Sequence, residues 1–366
     1  MKSYGLVLAG GGGKGAYQIG AWKAMREMAI SFEAIAGVSI GSINGALIAS
    51  DDYEKAVSMW NNISVDKGVN ITSALPDPEN LFSTKNWGVL FKEFMKNKGF
   101  DASPAKQFIG EYISEEKVRK SNIPLAIVTV QLTPEITPLE LFTSDIPEGQ
   151  LIDYLMASAD IPLANNIGPE GEKKFLDGGA YDNTPVTLLK RNGYNRLVVV
   201  DIANIKGLNH DLDFRNSEIV YIRPYSIDDL GASFDFDSAT IARRIEMGYL
   251  DTKKAFSLLL GKIYHFEPSV FRAMVKSYGA KAVEQLEELA YALKIPNDCV
   301  YSQVRFLTEL KIAFEAKREE EKAGMEEKEK ETEKENKYIS FFKLFSKQKS
   351  ENDFQEAIAI LDNIVL

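Results

Sequence analysis

The sequence has little of the residues that build disulfide frameworks and metal centres. Of its 366 residues, one is a cysteine, Cys299, and two are histidines, His210 and His265. A single cysteine excludes an intramolecular disulfide, and this small supply of cysteine and histidine leaves no Cys/His metal cluster. The composition suits a protein of the reducing cytoplasm.

A positive net charge and long apolar runs are also missing. The formal net charge of -10 leaves no general basic surface, which argues against nucleic acid as the main partner. No stretch approaches the roughly 18 uninterrupted apolar residues of a membrane-spanning helix. Residues 4–9, YGLVLA, read as a strand rather than a signal peptide. We expect a cytoplasmic protein whose membrane contact, if it has one, is peripheral.

Apolar periodicity predicts an α/β fold. Residues 4–9 form an apolar run that ends in a glycine turn, after which apolar residues recur at helical spacing, and FEAIAGVS with SINGALIAS repeats the pattern. The first fifty residues therefore predict a βαβα unit with a parallel strand pair. Further strands are predicted at Leu125 to Gln131, Leu139 to Thr143, Lys174 to Leu176, Arg196 to Ile202 and Ile219 to Ile222. Helices between them predict a three-layer sandwich around a mainly parallel central sheet.

The glycine turn GGGGKG admits more than one function. A P-loop needs Gly-Lys followed by Ser or Thr, whereas Lys14 precedes Gly15 and Ala16. A dinucleotide fingerprint fits the spacing of the glycines, with Glu33 as the ribose-binding acid, although Glu33 opens its strand instead of closing it. A third interpretation is an oxyanion cradle, because bare backbone N–H groups before a helix hold negatively charged oxygen.

Ser39 is a candidate nucleophile. Gly37-Val38-Ser39-Ile40-Gly41 matches G-x-S-x-G at a strand-to-helix junction, where small flanking residues let the serine stand clear of the sheet. The N–H of Ile40 would then point to the place where an oxyanion forms. A helix N-cap is the alternative role for this serine.

The base for Ser39 could be a histidine or an aspartate. The order Ser39, Asp177, His210 imitates a hydrolase triad, but His210 lies in an ordinary polar stretch, and His265 stands among apolar residues. Asp177 follows a short apolar run and precedes Gly178 and Gly179, so its carboxylate is predicted at the same edge of the sheet as Ser39. Partial burial would raise its pKa and make a Ser-Asp dyad feasible. A plain Asp-Gly turn is the alternative.

Taken together, three motifs resemble those of the patatin-like phospholipase family. They are Gly10-Gly11-Gly12-Gly13-Lys14-Gly15, Gly37-Val38-Ser39-Ile40-Gly41 and Asp177-Gly178-Gly179. The segment ASADIPL at 157–163 and Asn183, Pro185 and Val186 extend the resemblance, which covers about residues 4–225. Departures from the family pattern are Gly13 in the variable slot and Ala9 where plant members have an aspartate.

The resemblance implies a serine acyl hydrolase that cleaves phospholipids or lysophospholipids. Ser39 would be the nucleophile and Asp177 the base, with no histidine, metal ion or cofactor in the chemistry. Gly10, Gly11, Gly12, Gly13 and Ile40 would form the oxyanion hole. Supporting positions would be Lys14, Gly15, Gly37, Gly41, Gly178 and Gly179, with Lys14 orienting the glycine turn.

The resemblance, together with the periodicity and composition of the remaining chain, suggests a domain organisation. A patatin-like catalytic domain would span 1–225, and a helical region would span 226–314 and pack on it. The Glu/Lys-rich stretch 315–337 would be a linker or a solvated helix, and 338–366 an amphipathic segment. Aromatic and lysine residues in 337–349 suggest peripheral membrane contact. The alternative is a C-terminal helix that packs back on the core or pairs with another chain in an oligomer.

Two other function classes remain open at the level of sequence. One is a nucleotide-binding oxidoreductase built on the βαβ unit. The other is a non-catalytic relative of the patatin-like family that acts as a binding module.

Overall fold

The computed structural model describes residues 3–64, 100–101, 103–159, 164–165, 174–203, 215–331 and 354–364. By its contacts the chain divides into two compact units, Met1–Ala255 and Phe256–Leu366. The sequence-based boundary at 225/226 therefore differs from the observed one. The difference arises because helix Ser238–Ala255 packs along the first helix of the first unit.

The first unit begins with the predicted βαβα arrangement. Its elements are β1 (Ser3–Leu8), α1 (Ala16–Glu27), β2 (Ser31–Val38) and α2 (Ile40–Ala49). β1 and β2 pair in parallel, so the glycine turn after β1 and the elbow after β2 lie at the same edge of the sheet.

The rest of the first unit completes one main sheet. Its elements are α3 (Tyr53–Asn62), β3 (Phe100–Asp101), α4 (Ser103–Tyr112), α5 (Glu115–Lys120), β4 (Leu125–Gln131), β5 (Thr137–Phe142), α6 (Leu151–Ser158), β6 (Ala164–Asn165), β7 (Phe175–Asp177), α7 (Val186–Arg191), β8 (Arg196–Val200), β9 (Glu218–Ile222) and α8 (Ser238–Ala255). The strand order is β5-β4-β2-β1-β8-β9, and β7 also pairs with β4. β5 and β7 run antiparallel to β4, and the other neighbours are parallel. The mainly parallel sheet is confirmed.

Helices cover both faces of this sheet. On one face, Val7, Ala36 and Val128 pack with Val186 and Leu189 of α7. On the other face, α2 lies close to the sheet, since a Cβ at Gly45 would stand 2.9 Å from Leu125 and 3.1 Å from Ile35. Side chains of successive strand residues alternate between faces, so each buried strand serves both layers. The predicted three-layer α/β sandwich is confirmed.

The second unit is mainly helical. Its elements are β10 (His265–Phe266), α9 (Pro268–Tyr278), α10 (Ala280–Ala292), β11 (Val300–Tyr301), α11 (Gln303–Glu331) and α12 (Gln355–Asp362). Aromatic rings dominate its core; Phe266 and Phe306 meet edge to face with ring centroids 5.1 Å apart. Helix α11 takes in most of the Glu/Lys-rich stretch 315–337. The segment 337–349 lies outside the described residues.

None of the described helices combines the length and the apolar character needed to span a membrane.

Candidate active site

The elbow holds Ser39 in a strained backbone conformation. Its φ and ψ are 54° and -131°, a combination rare for any residue other than glycine. A Cβ at Gly37 would stand 2.4 Å from the carbonyl oxygen of Gly41, and one at Gly41 would stand 2.3 Å from that of Leu8. Only glycine fits at these two positions, and their absence of side chains allows β2 to turn directly into α2.

The pairing of β4 explains how Asp177 reaches Ser39 from far along the chain. β2 pairs with β4 as far as Val38 opposite Val128, and β7 pairs with the next residues of β4, placing Asp177 opposite Thr129. β5 occupies the other edge of β4 over this stretch, so β7 continues along the edge that β2 leaves at the elbow. The residue after Val38 and the last residue of β7 therefore become neighbours.

Asp177 carries the electrostatic features of a base. Its carboxyl group accepts hydrogen bonds from the Ser39 side chain and, at 2.7 Å, from the backbone N–H of Gly179. Burial raises the pKa of Asp177 from its ordinary 3.8 to about 6, and the two hydrogen bonds oppose this rise. The carboxyl group is thus ionised at neutral pH but is more basic than an exposed aspartate.

Two hydroxyl groups connect the elbow to β4 and α6. The N–H of Ser39 donates to Ser158 Oγ at 2.9 Å, and that hydroxyl donates to the carbonyl of Val128 at 2.6 Å. Thr129 Oγ1 donates to the carbonyl of Ala157 at 2.8 Å. The first of these bonds holds the backbone of Ser39 itself, and the others hold β4 against α6. Sequence reasoning missed them because the partners are distant in the chain.

The glycine turn approaches Ser39 through its first residue. A Cβ at Gly10 would stand 3.0 Å from Ser39 Cβ. Buried Asn183 joins the turn to the aspartate motif: its carbonyl accepts the Gly10 N–H at 3.4 Å and its Nδ2 donates to the Gly10 carbonyl at 3.3 Å. In the sequence, Asn183 stood out only because it extends the family resemblance. The structure shows that it also bridges the glycine turn and the aspartate motif.

The N–H groups of the turn are not equivalent. Those of Gly10 and Gly13 donate to the carbonyls of Asn183 and Ser233, the latter at 2.6 Å, and are occupied by these bonds. Within the part of the chain that the structure describes, no backbone–backbone hydrogen bond outside the helices and strands uses the Gly11 or the Gly12 N–H. The Ile40 N–H begins α2 and is likewise used by no such bond.

The remaining motif positions are structural in this fold. Lys14 has Arg244 and Asp228 as its charged neighbours, and burial with the Arg244 charge lowers its pKa. Gly15 packs against Ile40, where a Cβ would stand 2.6 Å from the side chain. Gly178 adjoins β4, and a Cβ there would stand 2.1 Å from the Val128 carbonyl.

The competing sequence interpretations can be compared with the same geometry. Glu33 is exposed near the amino end of β2, whereas the glycine turn lies at the carboxyl end of β1. Because these strands are parallel, Glu33 lies at the opposite edge of the sheet from a ribose bound at the turn. His265 is buried in the second unit. His210 lies outside the described residues.

The comparison with family models decides the classification. The patatin-like phospholipase model matches residues 6–190. The chain belongs to the patatin-like phospholipase family. The matched stretch contains the glycine turn, the elbow and the aspartate motif in the order on which the resemblance was based.

Curated relatives of this family member are much longer proteins. It is 27% identical over 217 residues to "Lysophospholipase NTE1" of Debaryomyces hansenii, which covers 56% of this chain and 12% of that protein. It is 26% identical over 231 residues to "Neuropathy target esterase sws" of Drosophila melanogaster, covering 59% of this chain and 14% of that protein. The match thus spans a small part of each relative.

Among solved structures, the crystal structure of VipD from Legionella pneumophila is similar to this chain. The two are 16% identical, and the match covers 86% of this chain and 80% of VipD with a TM-score of 0.38. A score this low carries no argument about function.

Proposed function

We propose that this protein is a lipid acyl hydrolase in which Ser39 is the nucleophile and Asp177 is the base. The observation that carries the proposal is the hydrogen bond from the Ser39 side chain to a carboxyl group whose pKa burial raises to about 6. A base needs direct contact with the proton it takes and a pKa close to the working pH. Asp177 meets both conditions.

The reaction follows from these positions. Asp177 takes the proton of the Ser39 hydroxyl while Oγ attacks the ester carbonyl. The developing oxyanion accepts hydrogen bonds from the N–H groups of Gly11, Gly12 and Ile40. The tetrahedral intermediate collapses to an acyl-enzyme, and the leaving alcohol takes the proton from Asp177. Water then attacks the acyl group, gives its proton to Asp177, and the fatty acid is released as Ser39 recovers its hydrogen.

Fatty-acyl esters of phospholipids or lysophospholipids are the proposed substrates. Family membership supports this class, and some relatives are named as lysophospholipases. The proposed chemistry needs no metal ion or cofactor, because the Asp177 carboxylate accepts and returns the proton in each step. Peripheral membrane contact through 337–349 and oligomer formation through the C-terminal helices remain proposals about residues that do not enter this mechanism.

A digest of mixed phospholipids and lysophospholipids tests the proposal. Wild-type protein should release free fatty acid, and Ser39→Ala should release none above background. The control is Ser50→Ala, which makes the same substitution at the end of α2, where Ser50 Oγ donates to Ala46 at 3.0 Å. Equal release by Ser39→Ala and wild type would contradict the assignment of the nucleophile. An inactive wild type would favour a non-catalytic member of the family.

A further inference from the structure

The glycine turn is held from outside the three motifs by a loop that precedes α8. The Gly13 N–H donates to the Ser233 carbonyl at 2.6 Å. Gly12 has φ +57°, and a Cβ there would stand 2.6 Å from the same oxygen. A Cβ at Gly13 would stand 2.8 Å from the Asp235 carbonyl oxygen. The loop and the turn therefore touch backbone to backbone, and a Cβ at Gly13 would also stand 3.0 Å from Nη1 of Arg244.

Arg244 of α8 gathers this loop around its guanidinium group. Its Nε donates to the Leu230 carbonyl at 2.8 Å, its Nη1 to Asp235 at 2.6 Å and its Nη2 to Ala232 at 2.7 Å. The arginine is fully buried. Each of its three nitrogens bonds a different carbonyl, so one planar group sets the shape of 230–235.

Helix α8 gives the arginine a fixed base. A Cβ at Gly20 of α1 would stand 1.7 Å from the Ile245 carbonyl oxygen, and one at Gly248 would stand 1.9 Å from that of Tyr17, so the two helices touch at their backbones. Tyr17 also donates to Asp251 at 2.8 Å. Because α1 begins directly after the glycine turn, the turn is connected to Arg244 both through α1 and through the loop.

We propose that Arg244 is a positioning residue for the oxyanion hole: it shapes the 230–235 loop, whose Ser233 carbonyl holds the Gly13 N–H and thereby orients the neighbouring N–H groups of Gly11 and Gly12. This inference rests on the proposed function for its catalytic consequence, but the contacts it describes do not depend on that function. Oxyanion stabilisation requires donors that are oriented before charge develops. A turn released from Ser233 would lose that orientation while Ser39 and Asp177 stayed in place.

The structural part of the proposal is tested without any substrate. Hydrogen exchange of the 10–15 amides would be compared in wild type, Arg244→Lys, Arg244→Met and Met247→Ala. Met247 is a buried residue of the same helix, so its truncation weakens α8 packing and leaves the arginine's three bonds intact. We expect exchange at Gly13 to be about tenfold faster or more in both Arg244 variants and unchanged in Met247→Ala. Unchanged exchange in Arg244→Met would overturn the proposal.

Gly231→Ala is a second variant that leaves Arg244 untouched. Gly231 has φ +68°, so alanine strains the loop at its surface and changes its shape without opening the core. Its Gly13 exchange should rise in the same direction. If a folded Gly231→Ala protein exchanged its Gly13 amide at the wild-type rate, the loop would not be what connects Arg244 to the glycine turn. This result can be obtained even if the Arg244 variants fail to fold.

The catalytic part uses a soluble fatty-acyl ester and a trifluoromethyl ketone, which forms a tetrahedral adduct with a serine nucleophile. Arg244→Met should lower kcat about tenfold to a hundredfold with little change in KM and should weaken ketone binding by a similar factor, because the donors act only on the tetrahedral oxygen. Arg244→Lys should fall between Arg244→Met and wild type. The inflection of activity near pH 6 should not move, since Asp177 is unchanged.

The outcomes separate the two proposals. Faster exchange in the Arg244 variants with an inactive wild type would keep the positioning contact and refute the hydrolase. An active wild type whose kcat and ketone binding change equally in Arg244→Met and Met247→Ala would keep the hydrolase and reduce Arg244 to a general stability role.

Discussion

Asp177 and Glu287, one in each compact unit, are carboxylates removed from water in two different ways. Glu287 on α10 is almost fully buried. Its carboxylate accepts hydrogen bonds from the backbone N–H groups of three consecutive residues, Lys262 at 2.9 Å, Ile263 at 2.7 Å and Tyr264 at 2.9 Å. Asp177 accepts one backbone N–H and the side chain of Ser39. One carboxylate is fixed by rigid backbone donors, and the other is held by a donor that can give its proton away.

This difference separates a structural carboxylate from a reactive one. Backbone N–H groups do not transfer protons, so the bonds to Glu287 can only stabilise the chain segment before α9. In the proposed mechanism the Ser39 hydroxyl is both a donor and the nucleophile, and desolvation makes the carboxyl that faces it more basic. Burial alone therefore does not identify the active carboxylate, whereas the chemical nature of its donors does.

The largest expected effect is on catalysis at Asp177. Asp177→Asn removes the carboxylate that is bonded to Ser39, so ester hydrolysis should fall by more than about a thousandfold. Glu287→Gln should retain the activity of the folded wild-type protein. Both variants would be assayed on a fatty-acyl p-nitrophenyl ester at neutral pH. Comparable losses in the two proteins would remove the distinction between the carboxylates.

The next effect is on stability at Glu287. Glu287→Gln replaces a full acceptor by an amide that faces three N–H groups, and should lower the free energy of unfolding by about 2–4 kcal/mol. Glu284→Gln is the matched control, because Glu284 lies one turn away on α10 and is half exposed beside Lys262. Urea unfolding and exchange of the 262–264 amides measure the change. Equal stability of the two variants would contradict the structural role.

The sequence predicted much of the fold around the site. β4 was predicted with its observed bounds, and the other four later strands were found with ends shifted by one or two residues. The glycine turn, Ser39 and Asp177 stand at strand ends, where a pattern of apolar residues followed by small ones is visible in the sequence. The parallel direction of β1 and β2 brings the glycine turn and Ser39 to one edge of the sheet, whereas Asp177 ends an antiparallel strand and reaches that edge because β7 pairs with the last residues of β4.

Contacts made by residues remote in sequence could not be predicted in this way. The bond between the Ser39 N–H and Ser158 depends on how α6 packs on β4, and the approach of Arg244 to Gly13 depends on the α1–α8 contact and on the loop before α8. Neither residue lies in a motif that signals its partner. The hydrogen bonds from the Gly10 and Gly13 N–H groups to the carbonyls of Asn183 and Ser233 are also tertiary contacts. They leave Gly11, Gly12 and Ile40 as the proposed donors to the oxyanion.

Asp177 should also differ from an ordinary aspartate in the pH dependence of stability. Its pKa is raised in the folded protein, so the folded state binds the extra proton, and stability falls as pH rises from about 4 to about 6. Asp177→Asn lacks this loss and should be more stable than wild type at pH 7 by about 2 kcal/mol, less at pH 4. The pKa of Asp182 is raised to about 6 as well, and its titration cancels in the difference between the two proteins. A constant difference across this range, by urea unfolding, would argue against a raised pKa of Asp177.

The smallest expected effect is a difference in stability between two variants of Ser39. Glycine tolerates the φ of 54° and ψ of -131° that strain any side chain, so Ser39→Gly should be about 1 kcal/mol more stable than Ser39→Ala, and both should be inactive. Thermal unfolding of the two variants gives the comparison. A less stable Ser39→Gly protein would mean that the elbow stores no strain at this residue.

The most direct test of the account is the pH dependence of phosphonylation at Ser39. Wild type and Asp177→Asn would be treated with a fluorophosphonate from pH 4 to 9, and the labelled residue would be identified and its rate measured by peptide mass spectrometry. We expect the label on Ser39, with a rate that rises through an inflection near pH 6 in wild type and a far slower rate without that inflection in Asp177→Asn. Labelling at another residue, or the same pH profile in both proteins, would contradict the pairing of Ser39 with Asp177.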